Sequence, residues 1–185
     1  MLSSLPPGVP CAVCQQRASA YAKARSPLRY AFPVDTALKA MKFRGHLVYA
    51  PAFASLMLPI LESEFGDCDA LAAVPLHRWR HITRGFNQAA ELCAELVAAT
   101  NLPIVGNAIR VRPTKTQSGL SSAMRKKNLR GAFAIRGNLN ARYPLIIDDV
   151  ITTGETCERL AVALLDAGAE KVGVLTVARS STIAN

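Results

Sequence analysis

The stretch Leu145-Ile146-Ile147-Asp148-Asp149-Val150-Ile151-Thr152-Thr153-Gly154-Glu155-Thr156 decides how this chain folds. An apolar run ends in two adjacent carboxylates and then breaks into a short Thr/Gly loop that opens a helix. The helix is expected because Leu160, Leu164 and Ala167 fall on one helical stripe, with Gly168 as its stop. Val172, Val174 and Val177 then mark another strand. The unit spans residues 145–178 and reads strand, loop, helix, strand, a setting in which ligands sit at the carboxyl ends of strands. Its chemistry suits a sugar phosphate. Asp148 and Asp149, at a strand's carboxyl end, can hold ribose hydroxyls and a hydrated Mg²⁺. Residues 152–156 can wrap a phosphate with backbone N–H groups and hydroxyls at a helix N-terminus, where the dipole favours an anion.

Working outward, the same alternation continues. Residues 35–44 and 45–62 read as a helical pair, with Leu38, Met41, Leu56 and Ile60 spaced for one face. Residues 66–69 form a turn, and residues 70–74 a short buried strand stopped by Pro75. Residues 85–100 predict a helix with Leu92, Leu96 and Ala99 on one side, and residues 104–112 hold another strand. Residues 113–130 are polar, basic and aperiodic, and are expected to form a long mobile loop. Residues 131–135 give one more short strand. Strands alternating with helices predict an α/β fold, a mostly parallel sheet flanked by helices. Residues 1–33 are rich in Pro, Ser and Ala, with Cys11-Ala12-Val13-Cys14 as their one feature, and read as a short N-terminal appendage to a domain of residues 34–185.

Half of the 185 residues are hydrophobic, enough for a full core in one ordinary domain. No apolar run reaches membrane-spanning length, and the longest, residues 48–61, carries Pro51 and Pro59. No secretory leader is recognisable, and five cysteines without a framework fit a reducing compartment, so the expected location is the cytoplasm with no membrane insertion. Structural zinc takes about four ligands. A second Cys-x-x-Cys is missing and His46, Cys68 and Cys93 lack ligand-like spacing, so zinc is not expected. Charge is distributed unevenly. Residues 77–136 hold 11 Lys and Arg against Glu91 and Glu95, whereas the rest of the chain balances 11 basic with 11 acidic side chains. Such a block calls for an anion, either a polyphosphate ligand or nucleic acid.

Two further constellations carry chemistry. Val74-Pro75-Leu76-His77, followed by Arg84-Gly85-Phe86-Asn87-Gln88, repeats the order of strand end, polar loop and helix start. Arg84 can clamp a pyrophosphate, and the Asn87 and Gln88 amides can add hydrogen bonds. His77 and His81 read as loop histidines, and no paired nucleophile and base stands out. The loop Lys115-Thr116-Gln117-Ser118-Gly119-Leu120 continues through Arg125-Lys126-Lys127 to Arg130-Gly131-Ala132-Phe133. It can close over a diphosphate, and it can equally track a nucleic-acid backbone.

The 147–156 segment resembles the 5-phosphoribosyl 1-diphosphate (PRPP) signature of type I phosphoribosyltransferases. Together with Leu38-Lys39-Ala40-Met41-Lys42-Phe43-Arg44-Gly45, residues 74–77, 84–88, 117–121 and 128–133, it resembles the ComF family of competence proteins, which includes the GntX type. The likeness covers roughly residues 34–180 in the family's order. It implies a type I phosphoribosyltransferase-like fold and a part in cytoplasmic handling of incoming single-stranded DNA during natural transformation. A helicase of uptake or replication is an implied partner. Asp148 and Asp149 would be the catalytic pair, contacting ribose and, indirectly, Mg²⁺. Ile151, Thr152, Thr153, Gly154, Glu155 and Thr156 would bind the PRPP 5′-phosphate. Leu76, His77 and Arg84 would belong to the pyrophosphate loop, and Lys115, Gln117 and Arg125 to the mobile lid. The chain departs from the family pattern in lacking the second Cys-x-x-Cys pair.

Two other functions stay open on the residues alone. One is a salvage transferase moving phosphoribose to a base. Against it, residues 179–185 are too short for a base-recognising hood at the C-terminus, and residues 34–65 show no aromatic-plus-amide pocket. The other is a PRPP-sensing module without catalysis.

Overall fold

The computed structural model describes residues 19–76, 85–111 and 131–180. The quoted stretch forms the middle of the molecule. Residues Pro144–Ile151 make the longest strand, β6, and Gly173–Arg179 make β7 beside it, the two parallel from Leu145 opposite Gly173 to Ile151 opposite Arg179. On the other flank of β6 lies β3 (Ala70–Ala73), again parallel, with Ala73 opposite Ile147. Two short strands, β1 (Lys23–Arg25) and β2 (Leu28–Arg29), both pair in parallel with β7. The sheet therefore runs β1, β7, β6, β3, with Ile104 bridging to Leu71 at its outer edge.

Helices cover both faces. β6 is buried along its apolar half, and alternation sends Leu145 and Ile147 to one side and Ile146 to the other. Leu145 and Ile147 meet α2 (Tyr49–Phe65) and α3 (Gln88–Thr100) through Met57, Leu61, Phe65, Leu92 and Leu96. Leu38 and Met41 of α1 (Val34–Arg44) join this cluster. Ile146 and Val174 meet α4 (Glu155–Asp166) through Cys157, Leu160, Ala161 and Leu164. Gly173 permits the close approach on the first face, because a Cβ there would lie 2.9 Å from both Leu145 Cδ1 and Phe65 Cε1. A small antiparallel pair, β4 (Ala108–Arg110) with β5 (Phe133–Ile135), flanks α4. The architecture is α/β, a mostly parallel sheet flanked by helices, as the alternating pattern predicted.

Three local expectations need correction. Residues 19–33 hold two strands of the main sheet, so the sheet extends across the position where composition placed a boundary. The strands are only three and two residues long, too short to show a period. Leu56 does not face the core: it is exposed, and the inward face of α2 is Phe53, Met57, Leu61 and Phe65. Both sets are spaced four apart, and in a helix apolar on nearly all sides periodicity cannot choose between them. Residues 104–112 are not one strand, since Ile104 joins the main sheet and Ala108–Arg110 pairs with β5. The expected loop at 113–130 lies outside the described residues.

Candidate functional site

The ends of β3 and β6 and the starts of α3 and α4 converge because β3 and β6 run parallel. Val74 N–H donates to Ile147 O at 3.0 Å, which brings the chain leaving β3 alongside Asp148. Between these ends and α1 lies a cavity of about 450 Å³, within the ~300–1,000 Å³ typical of small-molecule sites. Asp148, Asp149, Thr152, Thr153, Gly154, Glu155 and Thr156 line one side of it. Leu76, Asn87 and Gln88 line another, and Tyr30, Leu38, Lys39 and Lys42 a third, with Arg110 also on the wall. Thus the acid pair and the Thr/Gly loop meet at one cavity. Ile151 does not line it: this residue is buried as the last of β6. His77, Arg84, Lys115, Gln117 and Arg125, and with them Cys11 and Cys14, lie outside the described residues.

The loop has the geometry of an anion cradle. Gly154 occupies the N-cap of α4 with φ +75°, a left-handed conformation that favours glycine, and no side chain caps the helix. The first turn of α4 therefore presents its N–H end to the cavity. Behind the loop, Tyr21 Oη stands 2.8 Å from where a Gly154 Cβ would be. Glu155 was expected among the phosphate-binding residues, yet its carboxylate cannot attract an anion. It is buried and receives Arg159 Nε at 2.8 Å, which neutralises it one turn away. What residue 155 can offer a phosphate is its place in the first turn.

The two acids differ in their surroundings. Asp148 Oδ1 accepts the Asp149 N–H at 2.9 Å, and Asp149 Oδ1 accepts the Val150 N–H at 2.9 Å. Burial pushes the Asp148 carboxyl up to about 8, and the negative charge of Asp149 adds to the shift. On Asp149, Oδ2 lies 3.3 Å from Lys42 Nζ of α1. Two adjacent acids with one ammonium, 3.3 Å from Asp149 Oδ2, fit a further cation. A hydrated Mg²⁺, which keeps most of its waters, suits such a pair, with Asp148 and Asp149 as the residues that would hold it. Among the described residues no cluster of three or more His, Cys, Asp or Glu could grip a metal directly. Cys157 lines the same cavity, and its thiol is held well above its ordinary value, first by burial and then by the two acids.

Asn87 and Gln88 prove to be committed. Asn87 is the N-cap of α3: its Oδ1 accepts from Ala89 N–H at 3.2 Å and its Nδ2 donates to Val74 O at 3.1 Å. Gln88 is buried, and its Nε2 reaches Lys42 O at 3.5 Å. Both amides line the cavity and also bond within its wall. Lys42 is the residue that local pattern missed. A lysine on an amphipathic helix reads as surface, and only the packing of α1 brings it to Asp149.

No family model matches the chain. It is 33% identical over 178 residues to the DNA utilization protein YhgH of Escherichia coli strain K12, covering 93% of this chain and 78% of that protein. The chain belongs to the ComF family. Competence protein F of Haemophilus influenzae is 37% identical over 116 residues, 60% of this chain and 51% of that protein. Competence protein ComFC of Bacillus subtilis is 30% identical over 161 residues, 84% of this chain and 64% of that protein. The relatives of this ComF-family chain are thus named for competence and for DNA utilization. Among its described residues no helix is long and apolar enough to cross a membrane.

Proposed function

We propose that this ComF-family protein binds PRPP with Mg²⁺ in the cavity and takes part in cytoplasmic handling of single-stranded DNA during natural transformation. The observation that carries the reading is the meeting of the acid pair with an uncapped helix N-terminus on one cavity wall. A ribose phosphate has both features: vicinal hydroxyls for carboxylates to accept from, and a terminal phosphate for N–H groups to hold. In this reading Asp148 and Asp149 orient the ribose, and residues 152–156 hold the 5′-phosphate. Bound there, Mg²⁺ supplies charge neutralisation for the diphosphate. The names of the relatives support the DNA part, as does the basic excess of residues 77–136.

Calorimetric titration with PRPP and Mg²⁺, in the presence and absence of a short single-stranded DNA, tests it. The expected result is PRPP binding that changes DNA affinity by a factor which DNA returns to PRPP, as linkage requires. PRPP binding without a DNA effect points to a salvage transferase and a screen of acceptor bases. Absence of PRPP binding removes the proposal. Changing Asp148 and Asp149 together to Asn is expected to abolish PRPP binding while leaving salt-sensitive DNA binding largely intact.

A further inference from the structure

Lys42 is anchored at its root and loosely held at its tip. Leu38 and Met41, on the same helix, are buried in the core, and Gln88 Nε2 lies against the Lys42 carbonyl at 3.5 Å. The ammonium by contrast stands 3.3 Å from Asp149 Oδ2, beyond the ~2.7–2.9 Å of a well-formed charge-assisted bond. The Lys42 side chain is 35% exposed and that of Asp149 11% exposed. The ammonium thus keeps its contact with water while the carboxylate is mostly covered, and the 3.3 Å separation leaves the pair short of full strength. The oxygen it faces is also the less engaged one of Asp149, because Oδ1 already takes the Val150 N–H at 2.9 Å.

We propose that Lys42 is a ligand-binding residue that exchanges partners, leaving Asp149 for an anionic phosphate or diphosphate oxygen of the ligand when the acid pair takes up a cation. The inference rests on the PRPP reading and deepens it. An ammonium and a divalent cation compete for the same carboxylate oxygen, so they cannot both keep it at full strength. Once displaced, the four-carbon stem of Lys42 leaves its head inside a cavity that residues 152–156 also line. One charge thereby serves two states. It offsets the repulsion between the acids when the cavity is empty, and it adds to the positive field on the ligand when the cavity is full.

The test uses Lys42→Met, which keeps the apolar stem, and Lys42→Arg, which keeps the charge. Mn²⁺ binding is followed by electron paramagnetic resonance, and PRPP–Mg²⁺ and inorganic diphosphate–Mg²⁺ binding by calorimetry. Lys42→Met is expected to bind Mn²⁺ alone several-fold more tightly than the wild type. The same variant should bind PRPP–Mg²⁺ roughly tenfold more weakly, the loss of one charge-assisted hydrogen bond. Lys42→Arg should stay near the wild type in both. Opposite signs are the signature, since a merely structural lysine would move the two affinities together. A folded Lys42→Met protein in which both fall, or neither changes, overturns the exchange while leaving PRPP binding by the wild type intact. A wild type that binds diphosphate in a Lys42-dependent way but not PRPP keeps the exchange and removes the PRPP reading. Binding of neither anion overturns both.

Discussion

At the scale of single residues, the site is built from groups that the fold holds at a disadvantage. Asp148 is the clearest. Its carboxyl is raised from the ordinary 3.8 to about 8 by burial and by Asp149. A folded-state value above the unfolded one favours folding when the acid is protonated. The contribution is fully present below about pH 4 and is lost as pH rises toward 8. Asp148→Asn should therefore stabilise the empty protein at pH 8 and change little at pH 4. If relief amounts to about 1–2 kcal/mol, the melting temperature at pH 8 rises by roughly 2–8 °C in a domain of this size. Differential scanning fluorimetry across that range decides it, and an equal shift at both pH values would contradict the assignment. Gly154 carries the second disadvantage. With φ +75° and Tyr21 Oη 2.8 Å from the Cβ position, Gly154→Ala adds both backbone strain and a clash. A loss of about 1–3 kcal/mol is expected, measured by urea unfolding. Adding Tyr21→Phe should recover part of the loss, and no recovery would assign the whole effect to the backbone.

At the scale of elements, what could be read from the sequence depended on whether an element carries its own pattern. The unit from β6 through α4 to β7 was legible because an apolar strand, a helical stripe and a second apolar strand each show a period. The acid pair and Thr/Gly loop were legible because they occupy the junctions of that unit. β1 and β2 were not, since other elements define them. Ala20 N–H reaches both oxygens of Glu158 at 3.1 Å, Lys23 Nζ meets Glu64 Oε2 at 2.8 Å, and Ser26 Oγ shares a 2.7 Å hydrogen bond with Thr176 Oγ1. None of these pairings is local, and no window along residues 19–29 contains them. For the same reason the Lys42–Asp149 pair, and the bonds from Asn87 to Val74 and Gln88 to Lys42, are not legible along the chain. The strand anchors make a prediction at this scale. Glu158→Ala should speed amide exchange across residues 20–25 by roughly tenfold, the effect of about 1–1.5 kcal/mol. Exchange in β6 should stay slow. Unchanged exchange in residues 20–25 would place the anchor on the Lys23–Glu64 pair instead.

At the scale of the whole molecule, charge is concentrated in one segment of the chain. The formal net charge is +9, all of it contributed by residues 77–136. The structure places Asn87 and Gln88 of that segment, and Arg110, on the cavity wall. Most of the segment's cations belong to residues 77–84 and 112–130, outside the described residues. Under the proposed function the cavity takes one polyphosphate, and 11 basic side chains are more than one such ligand would use. The surplus suits a longer polyanion. Single-stranded DNA releases counterions as its phosphates are neutralised, so log K falls with log salt by about 0.7 for each phosphate contacted. If Lys126 and Lys127 each meet one phosphate, replacing both by Glu lowers the magnitude of that slope by roughly 1.4. Fluorescence anisotropy of a labelled oligonucleotide over a series of salt concentrations measures it directly. The same double variant should retain PRPP affinity if the lysines serve DNA alone. If PRPP affinity falls while the salt slope holds, the basic loop belongs to the cavity as its lid, and the path of the DNA must be sought among Arg78, Arg80 and Arg130.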